Sequence, residues 1–115
     1  MSRSIGSGDD VVRRILDKAD KIVEKHEPLS HRIRVLILAA VSALGEASWT
    51  ELKTLLETLL GPVNPNTLAF HIRKLLGEGL LERAGSPESP VYKLAKESNR
   101  DIAELARELK NLITK

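Results

Sequence analysis

Apolar residues recur at three- and four-residue steps along most of the chain, which predicts amphipathic helices, and the pattern turns to alternation only after Leu80. A polar arm, Met1 to Gly8, precedes a first helix expected over Asp9 to Glu27. Ser7 and Asp10 stand at capping-box spacing there, and the early aspartates suit the positive end of the dipole. Val12, Leu16, Ala19, Val23 and His26 form one row of this helix; Ile15, Ile22 and Leu29 form a second beside it. So wide a stripe is either buried wholly in its own fold or gives one row to a partner chain. Pro28 ends the helix and Ser30 caps the next. Ile33, Leu36, Ile37, Ala40, Val41 and Leu44 are its expected buried face, and Gly45 is its stop. A short strand is expected over Ala47 to Trp49, with Trp49 anchoring the core.

The stretch from Ser48 to Arg83 organises the rest. Ser48-Trp49-Thr50-Glu51 is a capping box, and Leu52, Leu55, Leu56 and Leu59 give the following helix one buried face. Gly61 and Pro62 stop it. Asn64 then caps a second helix with Pro65 in its first position. Over Pro65 to Leu76 the inner stripe is Leu68, Ile72, Leu75 and Leu76. The opposite side carries Asn66, Phe70 and Arg73, with Thr67 and Lys74 beside them. Leu80 to Arg83 and Val91 to Leu94 read as antiparallel strands joined by the turn Ala84 to Pro90, with Tyr92 and Leu94 facing inward and Val91 and Lys93 outward. A last helix begins at Ser98, with Asp101 at the capping-box position. Ile102, Leu105, Leu109 and Leu112 form a heptad-like seam on it.

Two short helices, a tight turn and a two-stranded hairpin in this order are the pattern of a helix-turn-helix with a β-wing. The segment TLAFHIRKLLGEGLLER, followed by a short turn and VYKLA, resembles the recognition helix and wing of ArsR-type winged-helix repressors and their MarR-like relatives, of archaeal or thermophile type. The resemblance runs roughly from Leu29 to Leu94. It implies a mainly α fold with a small β-wing, 29–94 being the winged helix-turn-helix domain; the apolar rows on either side add an arm and N-terminal helix over 1–28 and a C-terminal helix over 95–115 at an expected dimer interface. Many ArsR-type proteins sense metals through Cys or through Asp/His sets on the last helix. The last helix here has no histidine, so that property is not carried over. A DNA-contacting wing tip also usually carries Arg or Lys, whereas this turn, AGSPESP, carries Glu88 and two prolines.

The chain's 115 residues suffice for one domain, and 42% hydrophobic with 30% charged residues describes a globular rather than a disordered chain. The longest apolar run, Val35 to Val41, is too short to span a membrane, and no signal peptide is visible, so a cytoplasmic protein is expected. Absence of cysteine excludes disulfides and thiolate chemistry. Absence of glutamine, a single Met and abundant Lys, Arg and Glu lean towards a thermophilic source. There is no catalytic constellation and no phosphate-binding glycine-rich loop. His26, His31 and His71 are too scattered for a metal site. No enzyme activity, no cofactor and no metal are expected, and no small-molecule effector is indicated.

Net charge is only +2, and from Leu29 to Leu94 seven Lys/Arg face six Asp/Glu, so nucleic-acid affinity would need local clustering and a dimer's doubled charge. The expected function is sequence-specific double-stranded DNA binding by a homodimeric transcription regulator. Asn66, Phe70 and Arg73 are the expected base contacts: adenine for Asn66, guanine for Arg73 and the thymine methyl for Phe70. Thr67, Lys74, His71, Arg83, Lys93 and Arg32 are the expected phosphate contacts. The expected dimer surface is Val12, Leu16, Ala19, Val23, Ile102, Leu105, Leu109 and Leu112. The near-neutral domain and acidic turn favour the alternative of a winged helix used as a protein-interaction module of a transcription or replication assembly, and a non-specific chromatin-type protein is a third reading.

Overall fold

A computed structural model of the chain describes residues 7–25, 32–97 and 100–113. Within them the order is α1 (Ser7–Lys25), α2 (Arg32–Leu44), β1 (Ala47–Ser48), α3 (Trp49–Leu60), α4 (Pro65–Gly77), β2 (Leu81–Gly85), β3 (Pro90–Leu94) and α5 (Arg100–Ile113). The described fold is thus mainly helical, with a small three-stranded antiparallel sheet in the order β1-β3-β2. The expected helix N-cap Ser98, and Pro28, Leu29, Ser30, His26 and His31, lie outside the described residues.

The middle of the molecule is α2. Val35 to Val41 are all buried, seven residues in succession covering every side of two turns. A helix apolar all round has to be surrounded. Both α1 and α5 pack on it and on each other, and α3, α4 and β3 approach it elsewhere. One contiguous core results, running from Ile15 and Ile22 of α1 through α2 to Leu68 and Leu75 of α4 and Leu105 and Leu109 of α5.

This packing corrects several expectations. The first helix starts at Ser7, so Ser7 and Gly8 belong to it rather than to a polar arm. In α2 the burial is not confined to one face: Leu38 and Ala39 are buried too, while Ile33 and Leu44 are only half-buried. Four of the residues expected at a dimer surface, Ala19, Ile102, Leu105 and Leu109, are buried in the chain's own core, at most 1% exposed. Their apolar seam faces α2 and α1, not a second chain. Val12, Leu16, Val23 and Leu112 are half-buried at the edge of the same core.

Local signals set the ends of the elements. The capping box of α3 is complete: the Glu51 backbone N–H donates to Ser48 Oγ (3.1 Å) and the Ser48 N–H donates to Glu51 Oε1 (2.9 Å). Trp49 is the first residue of α3 and packs half-buried against the core, after a two-residue strand. The hairpin strands run longer than expected, since Ala84, Gly85 and Pro90 are paired as well, leaving a tip of 86–89. There the Ser89 N–H donates to both the carbonyl and the Oγ of Ser86 (3.1 Å each).

Gly85 has φ +83°, and a Cβ there would lie 2.7 Å from the Ser89 carbonyl oxygen, so the tip cannot accept a side chain without opening. Gly77, the last residue of α4, has open space around the same atom and no left-handed backbone. Gly85→Ala should therefore destabilise by about 1–3 kcal/mol. Gly77→Ala should instead stabilise by about 0.5–1 kcal/mol. Urea unfolding of the two variants beside the parent chain checks both signs.

Candidate nucleic-acid interface

The exposed side of α4 is built from the turn that starts it. Asn64 Oδ1 accepts the Asn66 backbone N–H at 2.7 Å, Pro65 occupies the first helical position, and the Asn64 carbonyl accepts the Leu68 N–H at 3.1 Å. Upstream, Glu57 ties the end of α3 to this turn. Its Oε2 accepts from Lys53 Nζ at 3.0 Å and from the Val63 N–H at 3.5 Å, while its carbonyl accepts from the Gly61 N–H at 2.9 Å. Downstream, Gly79 takes φ +75°, and the Leu80 N–H returns to the Leu75 carbonyl, directing the chain into β2.

Leu68, His71, Ile72 and Leu75 are the buried side of α4. Asn66, Thr67, Phe70, Arg73 and Lys74 are all exposed. Asn66, Phe70 and Arg73 follow at steps of four and three, so they share one face, with Thr67 and Lys74 along its flank. Phe70 is 47% exposed, and Lys74 Nζ lies 5.9 Å from its ring centroid, a cation–π distance. No Asp or Glu occurs between Glu57 and Glu78, so α4 itself carries no acid; the first is its C-cap, Glu78, four residues after Lys74. The face can donate hydrogen bonds in a fork from Arg73, both donate and accept through Asn66, and offer one apolar surface.

Two of the expected phosphate contacts, His71 and Arg32, have partners within the fold, and Lys93 faces outward as the alternation implies. His71 is 3% exposed, inside the α4–α2 contact, where Arg34 Nε donates to its Nδ1 at 3.2 Å. Its burial removes it from any surface contact. Arg32 turns towards α1: its Nε and Nη2 donate to the two carboxylate oxygens of Asp20, at 2.9 and 3.1 Å, and this pairing raises its pKa further. Lys93 is directly opposite Glu82 in the β2–β3 register, on the outer face of the hairpin, whereas Arg83 is opposite Tyr92 on the other face. Arg83 and Lys93 are thus both exposed but on opposite faces of the hairpin. Glu88 lies exposed at the tip.

The Arg34–His71 pair was missed because its members are 37 residues apart in sequence. Half of it was legible: His71 is three residues after Leu68 and four before Leu75, which sets it on the inner stripe. Among the described residues there is no group of three or more His, Asp or Glu side chains arranged to hold a metal ion, and no helix long and apolar enough to cross a membrane. Comparison with protein-family models, curated proteins and solved structures finds no match to this chain.

The contacts at Glu57 fix its titration. The Lys53 ammonium first, and the Val63 N–H second, hold its carboxyl below the usual glutamate value. A carboxyl lowered in the folded state adds stability above its unfolded pKa and loses it as pH falls through the folded one. In a side-chain NMR titration Glu57 should protonate below the ordinary glutamate midpoint of about 4.3. Lys53→Ala should move the midpoint up towards that value; an unmoved midpoint would show that Lys53 is not its cause.

Proposed function

We propose that the chain is a winged helix-turn-helix protein that binds double-stranded DNA sequence-specifically and regulates transcription, in the manner of the ArsR- and MarR-like repressors whose pattern it resembles. In this reading α3 and α4 are the helix-turn-helix, β2 and β3 are the wing, and α4 enters the major groove. The observation that carries the reading is the exposed face of α4, a helix without Asp or Glu of its own, with Asn66, Phe70 and Arg73 in line and Thr67 and Lys74 beside them. Asn66 suits adenine and Arg73 guanine, each by a bidentate pair. Thr67 and Lys74, with Arg83 from the wing, serve as phosphate contacts. No catalytic step and no bound metal form part of the reading.

Selection of bound duplexes from a random library, followed at several salt concentrations, tests this directly. On the selected duplex Arg73→Ala should cost about 1–3 kcal/mol and relax preference at one base position. Lys74→Ala and Arg83→Ala should weaken all duplexes alike and flatten the salt dependence. Lys93→Ala, with Glu82 opposite, should matter least. Equal, weak binding of the parent chain and Arg73→Ala to every duplex would retire the proposal.

A two-fold dimer would set two α4 helices in successive major grooves, about 34 Å apart, on a pseudo-palindromic site. The apolar residues that support such a dimer are now fewer: Val12, Leu16 and Val23 on α1 and Leu112 on α5, all half-buried, with Ile113 40% exposed beside Leu112. Sedimentation at micromolar concentration should find a dimer of the full chain that Leu16→Glu dissociates. A monomer for the parent chain would leave single-site binding as the only form of the proposal.

One observation favours a second reading, a protein-interaction module. Phe70 is a large apolar side chain at the centre of the exposed face, and the hairpin offers Glu82 and Glu88 beside its cations.

A further inference from the structure

We infer that Phe70 is the residue through which α4 recognises the 5-methyl group of thymine, and that Arg34, acting through His71, is the positioning residue that holds it ready. The inference rests on the DNA-binding reading above and names the chemical group that its central side chain reads.

The support behind Phe70 is continuous. Its ring meets the His71 imidazole edge-on, with centroids 5.3 Å apart and planes at 72°. That geometry is favoured by the ring quadrupoles. His71 is buried, and its Nδ1 accepts the Arg34 Nε–H at 3.2 Å, which fixes the imidazole plane against α2. On the solvent side Lys74 Nζ lies 5.9 Å from the ring centroid. Phe70 is thus a braced side chain with an open apolar surface, not a loose one. Bracing before contact lowers the ordering cost of binding.

The neighbours of the ring identify what it fits. Asn66 lies one turn before it, and Arg73 and Lys74 close one turn after, so a single apolar surface is set among hydrogen-bonding groups. A major groove presents hydrogen-bonding atoms at every base pair and only one apolar group, the thymine methyl. A protein-docking patch would call for further exposed apolar residues around the ring. The other large exposed hydrophobic among the described residues is Ile113, on α5.

The test uses the full chain and its selected duplex, with each thymine of the half-site replaced in turn by uracil, which removes the methyl alone. One position should lose about fourfold in affinity, the factor that one buried carbon group is worth. In Phe70→Ala the thymine-to-uracil ratio at that position should fall to one, with the salt dependence unchanged. In Arg34→Ala the ratio should fall while phosphate-driven binding to random duplexes persists, and Arg34→Lys, which keeps a donor, should recover it in part. The uracil measurement on the parent chain needs no variant to fold. A selected duplex indifferent to uracil at every position, or a ratio that survives Phe70→Ala, overturns the inference while leaving the DNA-binding reading intact. No preferred duplex at all, with Phe70→Ala abolishing a protein complex instead, overturns both. An unchanged ratio in Arg34→Ala removes Arg34 from the positioning role.

Discussion

Burial of α2 on every side is the constraint from which the other contacts follow. A run such as Val35-Leu36-Ile37-Leu38-Ala39-Ala40-Val41 offers no polar face to water, so each neighbour must cover part of it. Full burial of a large aliphatic side chain contributes about 1.5–3 kcal/mol, which makes this helix the chief source of cohesion among the elements. The terminal helices are drawn in for the same reason. An α5 seam that would suit a coiled coil is spent on α2 and α1, and α4 is held from behind by the same helix through Leu68, Ile72 and Leu75. The exposed face of α4 is consequently backed by the buried core around α2.

Elements were readable in the sequence where a local rule acts alone. The Ser48–Glu51 box, the Asn64-Pro65 start and the alternation of Tyr92 and Lys93 all depend on residues a few positions apart, and each stands where the pattern puts it. Partner choice was not readable. An apolar row says that something covers it, not what, so Ile102, Leu105 and Leu109 read equally well as a seam between chains and as core. Of the residues expected on the candidate face, Asn66, Thr67, Phe70, Arg73 and Lys74 are exposed together because helical period alone decides that. Arg32 and His71 have partners distant in sequence, Asp20 and Arg34, which no local rule announces.

Charge is distributed frugally. Several cations face an acid within the fold: Arg32 at Asp20, Arg14 and Lys18 at Glu108, and Lys53 at Glu57. Pairs this exposed contribute little to stability, since water and salt screen them. They set acids beside cations of α1, α2 and α3, whereas α4 carries Arg73 and Lys74 with no Asp or Glu of its own. A chain with a formal charge of +2 can in this way carry a local cationic strip without a generally basic surface.

The sheet has β3 at its centre, which leaves β1 and β2 as its two margins. Open margins are where a sheet recruits strands from other molecules. Here one margin is two residues long and gives way at once to the cap of α3. The other is five residues long, with the charged pair Glu82 and Arg83 in its middle and a glycine that ends it. Neither offers a length of flat, apolar backbone on which a foreign strand could register. Growth of this sheet from molecule to molecule is blocked by the same short elements that place α3 and α4.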